Sequence, residues 1–386
     1  MYTPRSVRAA RALSGAHLED PGPTHSIQHN RLDSGVAVTL TDAPPFLDET
    51  GPADPATDGD LRRRLAAYQA PHRGRSLRQM ATSFGGFVIT CAIMYLFADL
   101  AWWLPLFLAP LAAGFLVRIF IIQHDCGHRA YFQSRRANDI VGFLCSLVTL
   151  APYLSWRRQH AGHHGIWNDL DRRNTGADIY SSCLTVAEYV ALSPWKRRWY
   201  RVSRHPIVAN LLLPPVVFLL LYRLPFDMPL SWRRERRMVQ LTNFSIAGLV
   251  LGVGLLAGYG SVVAVQLPVM VLASIFGVWL FSVQHRGPDT LWLRHEEWNG
   301  GKASLQGSNY LRLPKILQWF TGNIGFHHVH HLSPGVPNYR LQECHERFPA
   351  LRRAPTISIW QSLRTLRYVL WDERRGRMVT CAAADG

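Results

Sequence analysis

The chain has 386 residues, 48% of them hydrophobic, and a formal net charge of +16. Its apolar residues form long runs: residues 80–117 contain one charged side chain, Asp99, and residues 238–285 contain no Asp, Glu, Lys or Arg. Each run suits two membrane spans joined by a tight turn, and soluble helices seldom lack charge on every face. The basic residues lie outside these runs, so basic loops facing the cytoplasm explain the charge better than nucleic-acid binding does.

The N-terminal part of the sequence predicts no membrane span and no secretory signal. Residues 1–60 are rich in Pro, Gly, Asp and Ser, lack an apolar signal segment, and are predicted to form a disordered cytoplasmic tail. The next segment, LRRRLAAYQAPHRGRSLRQM, is predicted to lie at the membrane surface. The six cysteines form no CxxC pair, which argues against a disulfide framework or a zinc ribbon and fits a reducing compartment.

Four spans are predicted, near residues 81–98, 105–122, 242–259 and 265–283. Residues 140–154 are apolar but short for a span, which predicts an interfacial or re-entrant helix.

Span parity decides the interpretation of residues 207–222. If this segment is re-entrant, with a bend at Pro214-Pro215, the basic sequence SWRRERR and His285 fall on the same cytoplasmic side as His124. If it crosses the membrane, both fall on the opposite side, so we predict a re-entrant segment.

The predicted fold class is an all-α integral membrane protein. Residues 61–350 are expected to form one domain with four transmembrane helices, interfacial or re-entrant helices, and a cytoplasmic helical cap that carries a di-metal site. Residues 351–386 are expected to form a cytoplasmic C-terminal tail.

Nine of the seventeen histidines form a pattern. Eight of them belong to one HxxxH and two HxxHH motifs, and residues at i, i+3 and i+4 share one face of a helix. The ninth, His285, ends an uncharged span and is predicted by topology to lie on the same side. The candidate metal ligands, which are also the candidate catalytic residues, are His124, His128, His160, His163, His164, His285, His327, His330 and His331.

Imidazole ligands suit Fe, Zn and Cu. Eight or nine ligands are too many for one tetrahedral zinc ion, but they suit two metals with positions left for oxygen. A metal-binding membrane transporter or receptor with a structural zinc is the alternative from another class of function.

The motifs HDCGH, HAGHH and FHHVHH resemble the three histidine boxes of the membrane fatty acid desaturase family. The flanking sequences HHGIWNDLDRR, VQHRGPDTLW and SLQGSNYLRLPKILQW are similar to bacterial and cyanobacterial acyl-lipid desaturases of the Δ12/ω-6 type. The resemblance extends over residues 75–350 and implies a di-iron site, with His285 as the ninth ligand. In that family an Asn four residues before the ninth histidine holds a water ligand. Phe281 stands at that position here, and Asn323 is a hypothetical substitute.

The resemblance implies O₂-dependent insertion of a cis double bond into a fatty acyl chain, which requires a strong oxidant formed at a metal with two electrons. The sequence contains no HPGG haem motif, so we expect a separate electron donor such as ferredoxin or a cytochrome b5-like protein. A sister hydroxylase, acetylenase or carotenoid-modifying oxygenase remains an alternative. The expected location is the bacterial inner membrane, with both termini and the active site cytoplasmic.

Several other residues are candidates for supporting roles. Arg118 is expected to be structural. Carboxylates that would orient imidazoles are Asp125, Asp169, Asp171 and Asp178. Candidate linings of an apolar substrate tunnel are Trp156, Trp279 and Trp319.

Overall fold

The computed structural model describes residues 58–101, 103–173 and 182–385. The predicted N-terminal tail lies outside this part of the chain, except for residues 58–60. These three residues begin helix α1 (Asp58–Ala66), whose Leu61 and Leu65 are buried in an apolar cluster with Ile324 and Phe326. The folded region therefore includes residues 58–60, which the predicted boundary assigned to the tail.

Four helices in the described residues are long and apolar enough to cross a membrane, which confirms the predicted all-α membrane fold and its four spans. They are α2 (Arg73–Phe97), α3 (Leu104–Gly127), α9 (Arg233–Ala257) and α10 (Tyr259–Gln284). Helices α2 and α9 begin about eight residues before the predicted spans, because the basic segments that precede the apolar runs continue the same helices.

Two further pairs of helical segments are broken at sharp bends. Helices α4 (Arg135–Thr149) and α5 (Tyr153–Ile166) meet at 101°, where Leu150 has a positive φ of 58° and Pro152 precedes α5. Helix α7 (Pro194–Arg204) meets the helical stretch Val208–Arg223 at 53°. Both geometries fit the two half-inserted segments that the sequence predicts, either as broken spans or as re-entrant segments.

The predicted position of the second bend is wrong. The break falls at His205-Pro206, whereas Pro214 and Pro215 open helix α8 (Leu213–Leu219). Proline is tolerated in the first turn of a helix, where its missing N–H is not required for a helical hydrogen bond. A π-helical turn, Val208–Leu212, joins the break to α8.

Seven further short α-helices lie in the rest of the described chain. They are α6 (Val186–Val190), α11 (Gly300–Gln306), α12 (Lys315–Phe320), α13 (His327–Leu332), α14 (Leu341–Arg347), α15 (Ile359–Thr365) and α16 (Cys381–Asp385).

Two small sheets accompany these helices and were not predicted. Strand β2 (Tyr310–Arg312) pairs in parallel with β3 (Thr356–Ser358). The other sheet has the order β1-β4-β5, with β1 (Leu184–Thr185) parallel to β4 (Leu370–Asp372) and β4 antiparallel to β5 (Arg377–Val379).

These strands correct the prediction of a C-terminal tail at residues 351–386. Residues 351–385 are folded, because Leu351, Leu370 and Met378 are completely buried and the segment supplies three strands. The side of the membrane on which it lies stays a prediction.

Helix α3 lies at the centre of the membrane-spanning part and packs against α2, α4 and α10. Small buried side chains on α3, Ala109, Ala112 and Ala113, permit this close approach of helices. The arrangement brings the C-terminal ends of α3 and α10 to the same end of the bundle. The first histidine motif lies at the C-terminal end of α3, and His285 lies at the C-terminal end of α10.

Candidate metal centre

Helix ends and short helices carry the nine candidate ligands. His124 lies in the last turn of α3, and His128 follows that helix as its C-cap residue. Helices α5 and α13 each carry three of the candidate ligands, at the i, i+3 and i+4 spacings that place imidazoles on one helix face. His285 is the C-cap residue of α10.

The imidazoles converge in two adjacent groups. The first group contains His124, His128, His160, His164 and His330, and the second contains His163, His285 and His331. Within each group, the potential ligand nitrogens all lie within 4.8 Å of one another.

His327 joins the second group. Its Nε2 atom lies 3.1 Å from the Nε2 atoms of both His285 and His331. All nine candidate residues are therefore brought together, although their role as ligands stays a prediction.

The nitrogen atoms of this cluster fit bound metal. Nε2 of His124 and Nε2 of His128 are buried and have no hydrogen-bond partner among the described residues. His164 and His330 bring their Nε2 atoms to 3.0 Å, and His285 and His331 do the same. Neutral imidazole nitrogens carry lone pairs, so a shared cation is a natural partner for such a concentration of them.

Burial keeps these imidazoles in their ligand form. Desolvation, reinforced by the neighbouring imidazoles, holds the pKa of six of them well below the ordinary value, which favours the neutral ring that binds metal. These six are His128, His160, His164, His327, His330 and His331.

Among the predicted carboxylates that the structure describes, Asp125 alone contacts the cluster. Its Oδ1 lies 3.1 Å from Nδ1 of His124, which fixes that ring and directs Nε2 to the other histidines. Its Oδ2 accepts hydrogen bonds from the backbone N–H and the side-chain amide of Asn338, at 2.7 and 2.8 Å. Gln79 on α2 donates to Asn338 Oδ1 at 3.0 Å.

Asp169 and Asp171 have other partners. Asp169 lies 2.8 Å from His295, and Asp171 accepts hydrogen bonds from Arg294 and from the backbone of His295. Asp178 lies outside the described residues.

A backbone carbonyl orients His285. Its Nδ1 lies 2.6 Å from the carbonyl oxygen of Phe281, the residue that stands where the resemblance predicts an Asn. The hypothetical substitute Asn323 instead donates to the backbone of Asn338 at 3.2 Å and accepts from Gln318 at 2.8 Å. Since both polar atoms of Asn323 are engaged there, its contacts do not support a role in holding a water ligand.

Two tryptophans pack against the histidines. Trp156, a predicted tunnel residue, stacks on His160 with ring centroids 4.6 Å apart. The sequence reasoning missed Trp167, whose ring centroid lies 4.3 Å from that of His285 and whose Nε1 donates to Gly307. Its position just after the second motif, in HHGIW, is the one sequence signal for it.

An apolar cavity ends at the histidine cluster. Its walls come from α3, α5, α8 and α10, and include Leu116, Phe120, Trp156, Phe218 and Val278. His124, His160, His163 and His327 line the part of it beside the cluster, and its lining continues along α10 as far as Met270.

The remaining predictions of supporting residues had mixed outcomes. Trp279 lines a separate groove, and Trp319 lines neither space. Instead, Trp319 holds Arg118, which donates to its carbonyl and lies 3.9 Å over its ring. Arg118 therefore has the structural role that was predicted for it.

The comparisons with known proteins agree with this geometry. The sequence profile described as "Fatty acid desaturase" matches residues 101–362, which include all nine histidines. The chain is 42% identical over 323 residues to a Bacillus subtilis (strain 168) protein named "Fatty acid desaturase", covering 84% of this chain and 90% of that protein.

More distant similarities extend to named regiospecific enzymes. A Picosynechococcus protein named "sn-1 oleoyl-lipid 12-desaturase" is 26% identical over 65% of this chain and 70% of its own length. A Crepis alpina protein named "Delta(12) fatty acid dehydrogenase" is 26% identical over 87% of this chain and 95% of its own length.

Proposed function

The chain belongs to the fatty acid desaturase family, and from that premise we propose that it inserts a cis double bond into a lipid-linked acyl chain that already carries one double bond. Two iron ions, O₂ and electrons from a separate donor complete the proposed reaction. One observation carries the proposal: an apolar cavity ends directly at a buried cluster of nine imidazoles.

The nine histidines would hold the two iron ions. His124, His128, His160, His164 and His330 would bind one, and His163, His285, His327 and His331 would bind the other. Bound iron supplies the oxidising power from O₂ that removes hydrogen from an unactivated methylene, which acidic and basic side chains cannot do.

The protein's own residues position the acyl chain and exclude water. Trp156 and Phe281 lie in the cavity wall beside the histidines, so a methylene held there would meet apolar surface and imidazoles. Asp125 and the Phe281 carbonyl fix the ring orientations of His124 and His285 before any substrate enters.

The cavity also has a polar part, which suits a lipid head group or an acyl ester. Gln159 donates to Asp227 at 2.9 Å, and both residues line the cavity together with Tyr222. Asp227 is exposed, so we assign the mouth of the cavity to this part of its lining.

A basic surface near the cluster supports the separate electron donor. Arg129, Arg135, Arg136 and Arg157 follow the first motif or precede the second; Arg129 and Arg157 share Asp139, at 2.8 and 3.6 Å, and Arg135 and Arg136 are exposed. An acidic carrier would be attracted to this surface. The same basic residues support a cytoplasmic position for the cluster, because basic loops of membrane proteins are enriched on the cytoplasmic side.

The test is expression of the full chain in a host that is supplied with defined monounsaturated fatty acids. We expect dienes in the extracted lipids, and about two iron ions per purified chain. Replacement of His285 by Ala should abolish dienes and reduce iron, because His285 contacts three other histidines of the second group. Replacement of the exposed His205 by Ala, outside the cluster, should change neither.

Other products would contradict the proposal in distinct ways. Hydroxylated or acetylenic acyl chains without dienes would show that the protein is a related hydroxylase or acetylenase and not a desaturase. One zinc ion per chain without iron would assign a metal-binding transporter or receptor.

A further inference from the structure

A second groove is lined by a different face of α10 from the face that lines the acyl cavity. Phe276 and Trp279 of α10 form one wall, Ile207, Asn210 and Leu211 form another, and Leu363 of α15 closes it. No histidine of the metal cluster lines this groove. It is therefore separate from the proposed reaction site.

Two residues that line this groove each have a buried polar atom without a partner among the described residues. The Oδ1 atom of Asn210 and the Nε1 atom of Trp279 have no hydrogen-bond partner among the described residues, and Asn210 is only 6% exposed. Buried polar groups in native proteins are nearly always hydrogen-bonded, since leaving them unpaired is costly. A ligand that satisfies both atoms would have a hydrogen-bond acceptor for the indole N–H of Trp279 and a donor for the amide oxygen of Asn210.

The depth of the groove indicates where such a ligand comes from. Trp279 lies six residues before His285, or about 9 Å along the helix axis, so the groove opens near the end of a span. The ester and head-group region of a bilayer lies at this level, and tryptophan is enriched there. Ester carbonyls are hydrogen-bond acceptors, and head-group hydroxyls are donors.

Exposed basic residues are adjacent in sequence to the lining of the groove. Arg364 and Arg367 are exposed, each adjacent in sequence to a leucine of the groove, and neither pairs with an acidic residue in the described chain. Helix α7, which leads into the groove, adds the exposed and likewise unpaired Lys196 and Arg198.

Helix α7 has the composition of a helix that lies in a membrane interface. Its Trp195, Trp199 and Val202 are 70%, 64% and 47% exposed, and their i, i+4, i+7 spacing forms one apolar stripe beside basic residues. Such helices bind anionic membrane surfaces.

We propose that this groove binds one anionic phospholipid with a hydroxyl-bearing head group, of the phosphatidylglycerol class. Its phosphate lies against Arg364 and Arg367, an ester carbonyl accepts from Trp279, and a head-group hydroxyl donates to Asn210. The acyl chains lie along the apolar wall that includes Phe276. The lipid supports the packing of α7 and α15 against α10 and is not the substrate.

The test measures lipid retained by the full, iron-loaded chain, using native mass spectrometry after detergent extraction. Phosphatidylglycerol and phosphatidylcholine with identical acyl chains are supplied separately. We expect one phosphatidylglycerol per chain and at least about tenfold weaker retention of phosphatidylcholine. Trp279→Phe keeps an aromatic side chain but removes the indole N–H, and it should weaken retention of phosphatidylglycerol about tenfold, equivalent to roughly 1.4 kcal/mol.

The double variant Arg364→Gln/Arg367→Gln should remove the preference for the anionic lipid. Its charge-matched control is Arg352→Gln/Arg353→Gln, and the control for the indole is Trp360→Phe, whose ring is 78% exposed and lies outside the groove lining. Equal retention of the two lipids by the unmodified chain would overturn the proposal, as would unchanged retention in the groove variants. Because the readout is bound lipid, it is independent of diene formation.

Discussion

Asp125 connects the first histidine motif to two distant parts of the chain. One of its oxygens contacts His124, and the other accepts two hydrogen bonds from Asn338, which also pairs with Gln79 of α2. The carboxylate therefore holds a ligand ring while it is itself fixed from both sides. Carboxylates in this position orient metal-binding imidazoles and make them better ligands.

We expect Asp125→Asn to weaken iron binding by about 10- to 100-fold, the usual effect of losing such a partner. The amide keeps the shape of the carboxylate but lacks its charge, so the His124 ring loses its preferred hydrogen-bond acceptor. Iron per chain, measured during titration with a chelator, reports the change. Asp171→Asn is the matched control, because Asp171 contacts Arg294 and His295 instead of the cluster. Equal iron retention by the two variants would contradict this role for Asp125.

The sequence predicted which histidines converge but not all of the residues that hold them. The motifs were recognisable because three- and four-residue spacings on a helix place imidazoles together whatever the rest of the fold does. Asp125 was accessible to prediction because it is adjacent to His124. Gln79 and Asn338 were not, since their hydrogen bond joins residues 259 positions apart. Asn323 was predicted from sequence spacing alone, but its positive φ of 59° belongs to a turn whose side-chain contacts lie elsewhere.

At the scale of elements, one close contact between α2 and α3 is made at a glycine. A Cβ atom at Gly86 would overlap the ring of Phe115 on α3. That ring is confined by Trp319 and Phe320, whose centroids lie 6.1 and 5.2 Å away. The neighbouring Gly85 has no atom within 4 Å of the corresponding position.

We expect Gly86→Ala to destabilise the protein by about 1–3 kcal/mol, the usual cost of overpacking a close contact. Gly85→Ala should be neutral or stabilising by up to about 1 kcal/mol, because alanine is the better helix former. Thermal unfolding of the two variants in the same detergent separates the effects. Phe115→Leu should restore much of the stability lost in Gly86→Ala, and an equal loss in the two glycine variants would rule out the steric explanation.

Long elements were easier to predict than short ones. Uncharged runs defined the four spans because no alternative environment buries so much apolar surface. The N-terminal ends of α2 and α9 were predicted too late in the sequence. Basic residues also form helix, but only the apolar residues of these two helices mark a membrane span. The strands at residues 184–185 and 370–372 are two or three residues long, and their pairing depends on long-range contacts that no local pattern encodes. The bend at His205-Pro206 was misplaced because two consecutive prolines gave the stronger local signal.

At the scale of the whole molecule, six separate parts of the chain enclose the acyl cavity. Helix α10 provides one wall from Met270 to Gln284, a rise of about 21 Å that ends beside His285. No single segment of the sequence defines this space. The sequence therefore predicted an apolar tunnel but not the full set of residues that line it. The cavity's depth beyond the cluster should limit how far an acyl chain extends past the reacting carbons.

Gly277 is the residue at which this limit is easiest to change. It lines the cavity, and a Cβ atom there would meet no atom within 4 Å, so a larger side chain extends into open space without displacing the helix. It lies eight residues before His285, or about 12 Å along the axis, which places it away from the ligands themselves.

We therefore expect Gly277→Leu to shift the products toward shorter acyl chains while iron content stays unchanged. The leucine fills part of the cavity, so long chains lose contact area and cannot extend fully, whereas short chains end before the obstruction. The measurement is the ratio of dienes formed from monounsaturated chains of different length, supplied in equal amounts. Gly252→Leu on α9 is the control, because Gly252 is exposed and equally unobstructed but does not line the cavity. An unchanged ratio in Gly277→Leu, with iron and stability intact, would show that acyl chains enter the histidine cluster by another route.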